Sequence, residues 1–340
     1  MRVTLACLSV LLLFAPLSVL SDEHEGQKAV LITGASTGIG RLTAETLAEA
    51  GYFVYAGARK KEDLEALDAI DNIKAVRLDV TVQEEIDAAV ELIEDEGRGL
   101  WGLVNNAGVN VIDPLIESDM SDLEFIFDVN VYGVVRVTKA FAPMIIESQG
   151  RIVNISSIAG VLAGGFDGYG FYIMSKHAIE AFSDQLAWEM AGLGVSVSSV
   201  LPGGFESRIG FSRCKRMLRN QAEKKYKYFA ESMQYYIDSC QKRMSGEDLD
   251  LGPKPVPVAR AVQRALFDEK PLEHYLVPGE PTEARLTIAK LVEEIASLNQ
   301  DEAHAVSRED LLDIFDNEMR IARGEQPRTM PGFYGEDADQ

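Results

Sequence analysis

Histidine, cysteine and basic residues are the scarce components of this chain. Four histidines are scattered over 340 residues, and three cysteines occur without a Cys-x-x-Cys. A metal site built on imidazole and thiolate is therefore not expected. Cys7 lies in the N-terminal leader, leaving Cys214 and Cys240. Two cysteines make no disulfide framework, and either a pair in an oxidising compartment or two separate thiols fits the sequence. Lys and Arg number 33 against 54 Asp and Glu, a formal net charge of −21. That sign repels a nucleic-acid backbone, so no nucleic-acid partner is expected, and the charge reads as a solubility feature. No repeat of fixed period and no low-complexity tract is present.

The first 21 residues stand apart. Arg2 precedes an uncharged Leu/Val-rich run from Val3 to Leu20, followed by Asp22, Glu23 and Glu25. This reads as a secretory signal cleaved after Ser21, or as a retained anchor through residues 3–20, since about 18 apolar residues is near the lower limit for spanning. Arg2 on one side and acids on the other place the folded body outside the cytoplasm in both cases, exported to a periplasm or lumen or held at a membrane.

With 46% hydrophobic residues, the remainder can bury one large core. From Lys28, short apolar runs alternate with amphipathic segments, the pattern of a parallel sheet covered by helices. Strands are predicted at 29–33, 52–58, 73–79, 102–106, 151–156, 195–201 and 274–278, and helices near 40–50, 61–70, 82–96, 121–148 and 172–192. The stretch 204–257 breaks this rhythm and reads as a helical insertion before the last strand. Residues 281–340 read as a helical extension of two amphipathic helices.

The first strand runs into TGASTGIG, Thr33 to Gly40, and then into a helix. Gly34 permits a sharp turn, Gly38 lets backbone approach a pyrophosphate, and Gly40 lets helix pack on strand, while the helix N-terminus faces phosphates. This T-G-x-x-x-G-x-G spacing, with NNAG at Asn105–Gly108, resembles the short-chain dehydrogenase/reductase family over about Lys28 to Pro278, in its steroid- and retinol-type members. The resemblance implies a single α/β domain of Rossmann type, a doubly wound parallel sheet of about seven strands spanning 28–280. It implies a nicotinamide cofactor held by Thr33, Gly34, Ser36, Thr37, Gly38, Ile39, Gly40, Asp79, Val80, Asn106, Ala107 and Gly108. At the end of the second strand Ala58 replaces the acid that would bind NAD ribose, and Arg59, Lys60 and Lys61 follow. That exchange favours NADP(H) over NAD(H), with Arg59 on the 2′-phosphate.

The family's Ser, Tyr, Lys and Asn fall on Ser157, Tyr172, Lys176 and Asn130. Tyr172 and Lys176 are four residues apart, one helical turn, so both emerge on one face. A phenol titrating near 10 needs a nearby ammonium, and the oxidised ring's charge, to come toward the working range. Ser157 is expected to orient the substrate oxygen, with Ser156 as the alternative, and Asn130 to distort its helix and hold a water leading to the lysine. Ser157 lies 15 residues before Tyr172, about two more than is customary, whereas Ser156 to Tyr169 spans 13. Ile173 follows Tyr169 by four, so the lysine selects Tyr172, and Tyr169 is expected at the substrate entrance. Pro202, Gly203 and Ser207 fall where the family holds the nicotinamide.

The segment after Ser207 is expected to form a lid whose Phe211, Met217, Tyr226, Tyr228, Phe229, Met233, Tyr235 and Tyr236 build an apolar pocket or a packing face. The activity implied is interconversion of a hydroxyl and a carbonyl on a lipophilic small-molecule substrate, by a homodimer or homotetramer with possible membrane association through the N-terminus. Two alternatives stand beside it: a non-catalytic NAD(P)-binding regulator or scaffold, and an epimerase or dehydratase on the same fold. The complete Ser–Tyr–Lys–Asn set argues against the first, and the lack of a larger substrate domain against the second.

Overall fold

A computed structural model describes residues 26–165, 167–220, 224–247 and 252–326. The leader call, signal or anchor, falls on residues outside the described ones. The chain divides into two compact units, Met1–Gly279 and Glu280–Gln340.

The first unit is built on seven parallel strands: β1 Ala29–Ile32, β2 Phe53–Ala58, β3 Ile73–Arg77, β4 Gly102–Asn105, β5 Arg151–Ile155, β6 Ser196–Pro202 and β7 His274–Val277, in the order β3-β2-β1-β4-β5-β6-β7. The doubly wound sheet expected from the sequence is the observed one. Leu31 stands opposite Tyr55 on one side and Leu103 on the other. Alternation divides the core. Val30 and Ile32 face a layer with Leu47 of α1 (Gly38–Glu49), Leu67 of α2 (Lys61–Asp68) and Val262 of α9 (Val256–Phe267). Ala29 and Leu31 face the opposite layer, with Ile86 and Ile93 of α3 (Gln83–Asp95), Phe141 of α5 (Gly133–Glu147) and Met190 of α6 (Gly170–Ala191). The strands are covered on both faces, which is why they read as continuous apolar runs. Winding reverses at β1, so a crevice opens beyond the carboxyl ends of β1 and β4.

Two expectations are corrected. The helix foreseen over 121–148 is interrupted: α4 (Met120–Phe127) and α5 flank a π-helical turn, Asp128–Tyr132. Asn130, at its centre, is buried and spends its amide on distant backbone, which the extra residue in the turn accommodates. β3 also ends at Arg77, two residues short, because Asp79 turns back to accept from the Thr81 amide at 3.0 Å.

Between β6 and α9 lie α7 (Ile209–Asn220) and α8 (Ala230–Ser245). A disulfide joins Cys214 of α7 to Cys240 of α8, and both are buried among Ile112, Met217, Met233 and Ile237. The second unit comprises α10 (Pro281–Leu298), opened by a Glu280/Glu283 capping box, and α11 (Arg308–Ala322), capped by Ser307 Oγ accepting from Asp310 N at 3.1 Å.

The disulfide closes a 26-residue separation. Replacing Cys214 and Cys240 together by Ser is expected to cost about 2–4 kcal/mol in urea unfolding. An unchanged midpoint would show that the cross-link contributes nothing to the folded lid.

Candidate active site

The turn after β1 is fastened to the end of β4 by side chains. Thr33 Oγ1 accepts from the amides of Asn106 and Ala107, both at 3.0 Å, and Asn106 Nδ2 donates to the carbonyls of Thr33 and Gly34 at 2.8 and 3.0 Å. Gly34 sits at φ +65, and a Cβ there would stand 2.8 Å from Ala107 Cα. At Gly40 a Cβ would meet Asn106 Nδ2 at 2.3 Å, so the first turn of α1 approaches this junction as only glycine allows.

The junction opens one cleft of about 530 Å³. Of the residues selected from the sequence, Gly34, Ser36, Thr37, Gly38, Ile39, Arg59, Asp79, Val80, Asn106, Ala107, Gly108, Ser157, Tyr172, Lys176, Pro202, Gly203 and Ser207 all line it. Thr33, Gly40 and Asn130 do not, and serve behind its wall. The glycine turn and the helix N-terminus leave a cradle that a Cβ would fill, so these residues fit a dinucleotide.

At the adenosine end, Arg59 Nη1 lies 3.3 Å from Asp79 Oδ2 on an exposed side chain. Burial pushes the Asp79 carboxyl up, but hydrogen bonds from Thr81 and the Arg59 charge outweigh it and hold the group below its usual range. Asp79 is thus ionised beside the one cation chosen for a phosphate.

At the other end, Ser157 Oγ accepts from Ala159 N at 3.1 Å and donates to the Pro202 carbonyl at 3.4 Å, and its hydroxyl pulls the Tyr172 phenol down. Ser156 Oγ is buried without a partner, so the geometry brings Ser157 and not Ser156 to the phenol. Lys176 is buried, donates to the Ile155 carbonyl at 2.8 Å, and stands 5.8 Å from the Tyr172 ring centre. Burial lowers its ammonium to about 8, against a smaller upward pull from Glu180 one turn on. Tyr172 departs from expectation. Burial raises its phenol above the ordinary value, and the Ser157 bond and Arg213 charge only partly offset it. Desolvation outweighs pairing here because Lys176 is turned onto Ile155.

Asn130 Oδ1 accepts from Val109 N at 2.8 Å, and Nδ2 donates to Val109 O at 2.9 Å and Ser175 Oγ at 3.0 Å. Ser175 Oγ in turn donates to the Tyr172 carbonyl at 2.8 Å. A second buried chain is not among the residues expected from the sequence. Asn105 Nδ2 donates to Thr138 Oγ1 and Asn154 Oδ1, and Asn154 Nδ2 to Ser183 Oγ, all at 2.9 Å, tying β4 and β5 to α5 and α6. Its signal was there: an Asn within each of two apolar strands is costly to bury unless bonded.

The lid's aromatic residues are mostly its own core. Met217, Tyr226, Phe229, Met233 and Tyr236 pack around the disulfide, Tyr228 and Tyr235 are exposed, and Phe211 alone of the eight lines the cleft. Tyr169 packs with that cluster too, its ring 5.9 Å from Tyr236. Arg208, Ile209, Lys215 and Met244 also line the cleft and carry no signature of it in sequence. Glu117 accepts from the amides of Lys227, Tyr228 and Phe229, and Lys224 pairs with Asp113 and Asp122, so the α7–α8 connection is anchored to the segment after β4.

A family profile described as short chain dehydrogenase matches residues 28–216. The chain is 37% identical over 270 residues to a mitochondrial D-beta-hydroxybutyrate dehydrogenase of Bos taurus, covering 75% of this chain and 78% of that one. It is 38% identical over 209 residues to retinol dehydrogenase 7 of Rattus norvegicus, covering 59% of this chain and 63% of that one. A short chain dehydrogenase/reductase of Burkholderia phymatum solved in complex with NAD superposes at a TM-score of 0.64, with 25% identity, 83% of this chain and 98% of that one covered. With the profile spanning more than half its length, and with this cleft, the chain belongs to the short-chain dehydrogenase/reductase family.

Proposed function

We propose that the chain interconverts a secondary hydroxyl and a carbonyl on a small lipophilic substrate, with Tyr172 as acid/base. The observation that carries this reading is the meeting of Ser157, Tyr172 and Lys176 at one end of a cleft whose other end is a dinucleotide cradle. A bound nicotinamide would accept or supply the hydride; the protein's groups handle the proton. Tyr172, with its phenol raised by burial, holds a proton suited to a nascent alkoxide, and Ser157 gives the same oxygen a second donor. Lys176, titrating near 8, can pass a proton near neutrality and restore the phenol. Asn130 acts as a positioning residue, through Val109 and Ser175. A non-catalytic regulator would have no use for a buried lysine beside a half-buried phenol that lines the cleft.

Arg59 supports NADP(H) as the preferred cofactor, since its exposed guanidinium lines the cleft where a 2′-phosphate would sit, paired there, among the described residues, only with Asp79, and Ala58 stands in place of the acid that would grip an NAD ribose. In this reading residues 28–280 form the catalytic domain, 204–257 its lid and 281–340 a helical extension. The buried Cys214–Cys240 pair suits an oxidising compartment, in line with the export or anchoring read from residues 1–21. Exposed Tyr132 and Trp188, beside and on the long helices, suit a homodimer or homotetramer. The relatives' names span a short hydroxy acid and a long polyene alcohol, and the substrate proposed is an alcohol or ketone with an apolar body.

Tyr172→Phe is expected to lower kcat by about 10³-fold while Tyr169→Phe keeps turnover within about tenfold. Ketone reduction retained in the first variant would remove Tyr172 from its role. Arg59→Ala is expected to raise KM for NADPH about tenfold and leave NADH within about twofold. Equal changes for both cofactors, measured by initial rates, would remove the NADP(H) preference from Arg59.

A further inference from the structure

Lys176 and Glu180 leave one face of α6, a helical turn apart, and both run to the sheet. Lys176 ends on the Ile155 carbonyl of β5. Glu180 Oε1 accepts from Ser199 Oγ of β6 at 2.5 Å, and Ser199 stands opposite Asn154, the residue before Ile155. The two side chains therefore reach adjoining positions of the same strand pair. They are packed closely around the turn Ile158–Gly160. A Cβ at Gly160 would stand 2.8 Å from both Glu180 Cγ and Ser156 Oγ, and 3.2 Å from the Lys176 carbonyl.

The far side of Glu180 meets the surface. Its side chain is 12% exposed, and His274, at 44%, brings Nε2 to 3.6 Å from Glu180 Oε2 and 3.0 Å from Asp184 Oδ1. His274 opens β7 and pairs in register with Ser199, so imidazole, hydroxyl and carboxylate form a row across neighbouring strands. A carboxylate withdrawn this far from water needs a counter-charge. Ser199 supplies one bond, and His274 a charge only when protonated. The ammonium one turn away is the steady cation, and Glu180 pulls it up against burial.

Other ionisable groups around α6 are engaged elsewhere. On α4 and the π-turn, Asp119 and Asp122 face Lys224, Asp128 faces Arg136, and Glu124 is exposed. Arg151 lies at the start of β5 beside Trp101, and β6 and the turn Ile158–Gly160 carry no ionisable side chain. Tyr172 is the remaining titratable neighbour of the lysine.

We infer that Glu180 is a positioning residue for the reaction: its carboxylate, fixed by Ser199 and reached from the surface by His274, keeps Lys176 an ammonium while Tyr172 is resupplied with a proton. This rests on the oxidoreductase reading above and carries the acting set one turn beyond Lys176. A protonated His274 competes for the same carboxylate, so the support is fullest where the imidazole is neutral.

The first test reads Lys176 without turnover. Trace labelling of the full chain with acetic anhydride, followed by peptide mass spectrometry, reports the free amine at Lys176 relative to exposed Lys61. At pH 7 this labelling is expected to be about threefold faster in Glu180→Gln than in the wild type, and near wild type in Glu180→Asp. The second test is the pH profile of kcat for reduction of 2-octanone with NADPH. Without the carboxylate Lys176 titrates below about 8, so reduction fails first on the alkaline side. Glu180→Gln is expected to lose about fivefold at pH 8 and to stay within about twofold at pH 6. An equal loss at both pH values marks a merely structural role and overturns the assignment, as does faster labelling with an unmoved pH profile. Should Glu180→Gln fail to fold, exposed His274→Lys decides. A fixed cation beside the carboxylate is expected to speed Lys176 labelling about twofold at pH 7, and no change overturns the inference. Unchanged labelling in Glu180→Gln beside normal turnover sinks this inference alone. No turnover of any ketone or alcohol with NADPH or NADH sinks the oxidoreductase reading, and the role of Glu180 with it.

Discussion

Everything functional in this molecule hangs on a buried clamp between two strand ends. Four hydrogen bonds cross between the carboxyl ends of β1 and β4, two joining Thr33 to Asn106, one Asn106 to Gly34 and one Ala107 to Thr33, and they include main-chain partners that a loop would otherwise leave unsatisfied. That clamp holds open the crevice where winding reverses, seats the glycine turn against Ala107, and fixes the segment that continues to Val109. Val109 is the backbone partner of Asn130, which reaches Ser175 and the first turn of α6. Cofactor cradle and catalytic helix are therefore one connected framework, and the Asn105–Thr138–Asn154–Ser183 chain ties the layers behind it. Polar networks of this kind specify position more than they stabilise, because each group lost leaves a buried partner unpaired.

How far this was readable from the sequence depends on the range of each interaction. The strands and the order of helices were legible because burial on both faces of the sheet leaves uninterrupted apolar runs. TGASTGIG was legible because its constraints, a positive φ at Gly34 and a close approach at Gly40, act within a few residues of the chain. Tyr172 was separable from Tyr169 because a lysine one turn on is a local relation. A distortion at Asn130 was implied by the family resemblance, but the partners that break the helix there were not legible, since they lie 21 and 45 residues away. The lid misled for a different reason. Aromatic and methionine side chains suit a ligand pocket and a small core equally well, and the Cys214–Cys240 bond draws most of them inward around itself.

The lid is held by unlike means at its different points. A covalent bond joins its two helices, three amides converge on Glu117, and Lys224 sits between Asp113 and Asp122. Burial raises the Asp113 carboxyl, whereas Lys224 and Arg216 together hold Asp122 below its usual range. Removing one partner from such a cluster strands the others in a poorly solvated place, so the cluster acts as a unit.

The proton chemistry follows from desolvation. The same burial that raises the Tyr172 phenol lowers the Lys176 ammonium to about 8, so the two groups are brought toward each other in acidity without touching. In a neutral cleft the phenol keeps its proton and serves as an acid. It would become a base only when positive charge stands beside it, which an oxidised nicotinamide held in the cleft would supply, and the Arg213 guanidinium already pulls the phenol down in part.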